Sequence, residues 1–134
     1  MTFPSVTRNA ESETFFDAAA RGVLMLRQCT ACSRVRAARR RTCRHCGDTA
    51  AWWVKSAGEA TLITWARHPV CASTAGTGLF GLVELGEGPW METVLVDVRD
   101  EQLQVGLPLR VRFVSGDSGD AYPVFGAAES EVRR

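Results

Sequence analysis

Two matched cysteine pairs, Cys29-Thr30-Ala31-Cys32 and Cys43-Arg44-His45-Cys46, are separated by ten residues in a chain of 134. Each Cys-x-x-Cys places two thiols on one tight turn. Two such turns facing each other supply the four soft ligands of a tetrahedral zinc site. Residues 27–50 are therefore read as a zinc ribbon, with Cys29, Cys32, Cys43 and Cys46 as the metal ligands. A closed four-thiolate set leaves no position for substrate, so the zinc is expected to be structural.

Disulfides are the competing use of these cysteines. They would leave the fifth, Cys71, unpaired, and Met1-Thr2-Phe3-Pro4 shows no charged and apolar leader. A thioredoxin-like redox role would need one such pair, not two. His45 lies inside the second knuckle and, with four thiols at hand, is expected to point outward. No apolar run approaches the roughly 20 residues of a membrane helix, so a cytoplasmic protein with reduced thiols is expected.

Charge divides the chain unevenly. Residues 27–44 hold Arg27, Arg34, Arg36, Arg39, Arg40, Arg41 and Arg44 with no acid, so a chain of net charge +1 carries −6 elsewhere. Zinc with four thiolates has a formal charge of −2, which brings the ribbon to about +5. Lys55 is the one lysine. Arginine's planar fork suits phosphate, although a GC-rich genome produces the same bias.

Before the ribbon, Ser12 to Arg21 reads as a short helix. Ser12 or Thr14 would cap it, Gly22 would end it, and Phe15, Phe16 and Ala19 would form its apolar face. After the ribbon the pattern changes to strands: Ala60–Ala66, Leu79–Leu85, Trp90–Val98, the alternating Leu109–Val114, and Tyr122–Phe125. Gly86-Glu87-Gly88-Pro89 and Gly116 to Asp120 are turns, and a break at Arg99–Gly106 follows the third strand. Five strands so spaced fit a small Greek-key barrel of the OB type, though periodicity alone does not exclude other small barrels. The fold class is thus mainly β: an N-terminal helix, a four-cysteine ribbon and a five-stranded OB-fold barrel. The expected divisions are residues 1–26, 27–52 (ribbon), 53–126 (barrel) and 127–134 (tail).

The local motifs include Phe15-Phe16 with Gly22-Val23-Leu24, Arg27-Gln28-Cys29 entering the ribbon, and Trp53-Val54 entering the barrel. They continue with Leu82-Val83-Glu84-Leu85, Glu87-Gly88-Pro89, Val105 to Val111 with Phe113, and Pro123-Val124-Phe125. In this order they resemble the DUF35 family of acyl-CoA-associated zinc-ribbon and OB-fold proteins over residues 14–126. The resemblance implies an accessory subunit of a thiolase-superfamily partner, in thiolase, acyltransferase or steroid side-chain aldolase systems, with the catalytic residues on the larger partner. Two features depart from the family's habit. Ala37-Ala38-Arg39-Arg40-Arg41 stands where prolines are usual, and Ser33 stands where glycine often follows the first knuckle.

Under that reading the subunit docks on a thiolase-like protein and helps shape its acyl-CoA site. Arg39, Arg40 and Arg41 are candidates for the CoA phosphates, by charge-assisted bidentate contacts. Solvation, or pairing with acids of the partner, is the competing use of each. Phe15 and Phe16 are the candidate partner-interface residues, against packing on the chain's own ribbon or barrel. Trp52, Trp53, Trp65 and Trp90 are read as core or interface. The alternative class is a single-stranded nucleic-acid-binding module, since ribbons and OB barrels both serve that use. Against it, the barrel segment carries Glu84, Glu87, Glu92, Asp97, Asp100 and Glu101, the wrong sign for a strand-tracking groove. No catalytic residue is assigned: His68 and Cys71 lie three positions apart without an evident orienting carboxylate.

Overall fold

The computed structural model describes residues 5–6, 8–67, 78–117 and 119–128. A 3-10 turn, Ala10–Ser12, leads into helix α1, Glu13–Ala20. Asn9 and Ser12 cap reciprocally, each side chain accepting the other's backbone N–H at 3.0 Å. The expected cap is therefore displaced: Ser12 stands at the N-cap of α1, but its hydroxyl is engaged with Asn9 and makes no cap bond to the helix. Gly22 ends the helix as expected. Its φ of 79° lets the N–H groups of Gly22 and Val23 reach the carbonyls of Ala19 and Ala18, both at 2.9 Å. Ala18 and Ala19 are buried, and half-buried Phe15 packs against the main core.

The ribbon contributes strands that hydrophobic alternation did not reveal. β1 (Met25–Cys29) lies between β2 (Val35–Arg36) and β3 (Ala51–Lys55) in an antiparallel sheet. β3 pairs along its whole length with β1, from Met25 opposite Lys55 to Cys29 opposite Ala51. It thus straddles the expected 52/53 junction, and Trp53-Val54 belongs to the ribbon sheet.

The barrel strands are β4 (Glu59–Arg67), β5 (Leu79–Leu85), β6 (Trp90–Val96), β7 (Pro108–Val114) and β8 (Tyr122–Ala127), close to the segments read from alternation. They close in the order β4-β5-β6-β8-β7, with β4 returning to β7, β6 parallel to β8 and the other pairs antiparallel. This is OB connectivity. A register shift between Leu62 and Thr64 lets β4 bend, so that its start pairs with β7 while it also pairs with β5. The break after β6 holds a 3-10 turn, Asp100–Gln102. β8 runs through Ala127, one residue into the expected tail, because Ala127 pairs with Leu109 and is buried.

Leu62, Val83, Leu85, Leu95, Leu109 and Phe125 fill the core, and Leu24 and Leu26 join the same cluster from the ribbon side. Ribbon and barrel therefore share one apolar interior. The N-terminal segment is fixed across the β7–β8 turn: Arg8 donates to Asp120 through Nη2 at 2.8 Å and to Asp17, while the Asp120 N–H donates to the Val6 carbonyl at 2.7 Å. Arg8 holds the Asp120 carboxyl below its ordinary range by direct hydrogen bonding. No helix among the described residues is long and apolar enough to cross a membrane.

Candidate functional site

The two knuckles are built alike. In the first, the Ser33 N–H donates to the Cys29 carbonyl and the Cys29 N–H to the Arg34 carbonyl, both at 2.8 Å. In the second, the Gly47 N–H donates to Cys43 at 2.8 Å and the Cys43 N–H to Asp48 at 2.9 Å. Each turn requires a left-handed residue after its second cysteine, and φ is 69° at Ser33 and 80° at Gly47. The departure from glycine thus leaves the first knuckle's shape intact, at the strain of placing an L-residue in that region.

These turns bring the ligand atoms of Cys29, Cys32, Cys43 and Cys46 within 4.8 Å of one another. Between the pairs, the sulfurs of Cys29 and Cys46 are 3.6 Å apart and those of Cys32 and Cys43 3.5 Å. A tetrahedron of sulfurs around zinc at about 2.3 Å has edges of about 3.8 Å, so the donor set fits that ion in type and size. The N–H groups of Cys46 and His45 draw the Cys43 thiol down to about 6, and Cys29 is lowered chiefly by the Cys32 N–H. At Cys46 the Asp48 N–H favours the thiolate, but the crowding sulfur of Cys29, desolvation and the other sulfurs push it up to about 12. Sulfurs so close become fully ionised together only around a cation. Cys29 and Cys43 are buried, Cys46 is exposed, and His45 is exposed as expected. His68 and Cys71 lie outside the described residues.

A groove of about 1210 Å³ runs between α1, the ribbon and the turn between β5 and β6. Arg39, Arg40 and Arg41 line it from the ribbon, Phe15 and Phe16 from the helix, and Trp90 and Met91 from the barrel. The two phenyl rings meet edge to face, with centroids 5.2 Å apart, and both remain half-buried. The arginine candidates and the aromatic candidates thus border one space. Arg39 also reaches across to Glu92 at 3.7 Å, an exposed contact that salt screens readily.

The arginines separate into two kinds, which sequence reasoning did not anticipate. Arg39, Arg40 and Arg41 are exposed, whereas Arg36 is buried and Arg27 half-buried. The Arg27 guanidinium lies 4.2 Å from the centroid of the Trp53 ring and donates through Nε to the Ala38 carbonyl at 2.7 Å. Arg36 donates to the carbonyls of Arg40, Arg41 and Thr49 at 2.8, 3.1 and 3.2 Å. Both brace the loop from within. Among the tryptophans, Trp52 and Trp90 are 64% and 56% exposed, so neither is core. The barrel's acids are mostly matched on its own surface: Asp97 with Arg112, Asp100 with Arg67 and Glu101 with Arg99. Glu87 instead holds the β3–β4 connection, accepting from the Ala57 N–H at 2.7 Å.

Comparison with known proteins agrees with this architecture in two consecutive parts. The family of ChsH2 rubredoxin-like zinc ribbon domains matches residues 16–50, and that of ChsH2 C-terminal OB-fold domains matches residues 53–114. A solved structure described as the Ltp2-ChsH2(DUF35) aldolase contains a chain 27% identical, with a TM-score of 0.75 over 92% of this chain and 99% of that one. A DUF35-family crystal structure from Sulfolobus solfataricus shares the fold, with a TM-score of 0.59, 14% identity and coverage of 90% of this chain and 87% of that one. A Thermomonospora curvata protein named "Probable enoyl-CoA hydratase alpha subunit" is 28% identical over 91% of this chain. The chain spans 39% of that relative's length.

Proposed function

The chain belongs to the DUF35 family, a zinc ribbon joined to an OB-fold barrel, and from that premise we propose that it is a non-catalytic accessory subunit of an acyl-CoA enzyme. It docks on a thiolase-superfamily partner, whether thiolase, acyltransferase or retro-aldolase, and helps form the acyl-CoA site. The observation that carries this reading is the 27% identity to the chain of the Ltp2-ChsH2(DUF35) aldolase, nearly end to end on both sides. Cys29, Cys32, Cys43 and Cys46 hold a structural zinc that ties the two knuckles together. Such thiolates stay available in a reducing cytoplasm. Phe15 and Phe16 lie at the partner interface, and Arg39, Arg40 and Arg41 meet the CoA phosphates. Support for the last two assignments comes from the groove that all five residues border.

Co-expression with a thiolase-like protein, followed by size exclusion, tests the assembly. A stable complex is expected. Reversing Arg39, Arg40 and Arg41 to Glu should raise the Michaelis constant of that complex for CoA thioesters, most strongly at low salt because exposed charges are screened within about 8 Å at physiological ionic strength. A partner fully active and soluble without this chain, and indifferent to the triple reversal, would refute the reading. Steeply salt-dependent binding of single strands that ignores CoA would then favour the nucleic-acid alternative.

A further inference from the structure

We propose that Arg36 is the buried anchor of an oxyanion site on the ribbon, taking a phosphate group that the exposed Arg39, Arg40 and Arg41 meet first. The naming of that phosphate as part of an acyl-CoA rests on the accessory-subunit reading; the site itself does not.

A count of donors carries the inference. A guanidinium has five N–H groups. In Arg36, Nε serves the Arg40 carbonyl at 2.8 Å, and Nη2 serves the carbonyls of Arg41 at 3.1 Å and Thr49 at 3.2 Å. Nη1 is buried, and its donors have no partner among the described residues. The residue is only 8% exposed, and among the described residues its hydrogen-bond partners are all carbonyls. No carboxylate is among these direct partners, and a buried cation is costly unless an anion meets it. Its neighbour across the β1–β2 pair is another cation, Arg27.

Place and shape agree with that demand. Arg36 lines the groove, where Arg39, Arg40 and Arg41 form the rim and Thr42 continues it. Inward bonds from Arg27 and Arg36 to the carbonyls of Ala38, Arg40 and Arg41 hold three adjacent like charges in one arrangement. A phosphate bears several acceptor oxygens, so it can satisfy Nη1 while rim guanidinium groups bind its outer face. Nη1 is covered until the rim shifts, so the deep contact forms after the rim contact. Once formed, it is shielded from salt, unlike the rim.

The test titrates inorganic pyrophosphate into the purified zinc-loaded chain at about 0.05 M and about 0.5 M salt. Arg36→Lys keeps the charge but loses the fork, and should weaken binding about tenfold at both salt levels. Replacing Arg39, Arg40 and Arg41 by Gln should weaken it mainly at low salt. The proposal fails if the wild type does not bind, or if an Arg36→Lys chain with full zinc and an unchanged melt binds as tightly. Should that variant lose zinc, guanidinium NMR of the wild type decides: pyrophosphate must shift the Arg36 Nη resonances, and unmoved resonances overturn the site. Binding without any thiolase-like complex leaves the site standing and removes the accessory-subunit reading. Assembly without pyrophosphate binding does the reverse.

Discussion

Replacing Ser33 by glycine should make the protein more stable and hold its zinc more tightly. Ser33 sits at φ 69°, a conformation that penalises an L-residue by about 1–2 kcal/mol. Glycine removes that strain but gives the unfolded chain more freedom, which returns about 0.4–1 kcal/mol. The exposed Ser33 hydroxyl has no hydrogen-bond partner among the described residues, so little else is lost; the contacts of Ser33 are through its backbone N–H and carbonyl. A net gain of about 0.7 kcal/mol corresponds to about threefold in an equilibrium constant and about 3 °C in Tm. Metal binding and ribbon folding are linked, so chelator competition should read the threefold as zinc affinity. Gly47→Ala is the mirror experiment. A Cβ there meets nothing within 4 Å, so its loss of about 0.7 kcal/mol, the same difference with the sign reversed, would be conformational alone. If Ser33→Gly is neutral or weakens zinc, or Gly47→Ala has no effect, the strain argument is wrong.

Metal analysis should give about one zinc per chain, and Cys43→Ser should abolish it and unfold the ribbon; a metal-free chain with an intact ribbon would contradict the four-thiolate site. Leu26→Ala, at a side chain 1% exposed, should cost about 2–5 kcal/mol in denaturant melts monitored on the barrel, because its cavity opens in the shared interior. Asp120 has a folded-state pKa depressed by Arg8, so its contribution is present above the ordinary carboxylate range and is lost as pH falls through the lowered value. Asp120→Asn should flatten that acid limb in melts taken as a function of pH. The purified chain alone should turn over no acyl-CoA thioester, as a continuous assay of thioester loss will read.

The barrel was legible because its strands alternate. Leu109, Val111 and Phe113 against Arg110 and Arg112 is a pattern that burial on one face writes directly into sequence. The four cysteines were legible from spacing. The ribbon sheet was not, because Met25–Cys29 mixes Leu26 with Arg27 and Gln28, and its pairing with Ala51–Lys55 spans the whole four-cysteine loop. Arg36 left no mark either: its partners are backbone carbonyls, which every residue type offers alike. The Arg8–Asp120 bond joins residues 112 apart, beyond any local pattern. Trp52 and Trp90 were read by type as core or interface, yet type does not say which face a strand residue takes.

Closure of the barrel gives each of β4 through β8 a neighbour on both sides, but β6 meets β8 only at Leu95 and Val96 and β4 meets β7 only over Glu59–Thr61, so what the barrel offers to intermolecular pairing is parts of edges. Among the described residues, the edges with no neighbouring strand along their whole length are those of β2 and β3. β2 is two residues long, too short to template much. β3 offers five residues and carries the exposed Trp52. Strand addition by another chain, whether a useful contact or the start of aggregation, is therefore favoured at the four-cysteine end of the molecule, where a whole edge is open. A single proline in β3, placed where its missing N–H faces outward, would suppress it without touching the barrel.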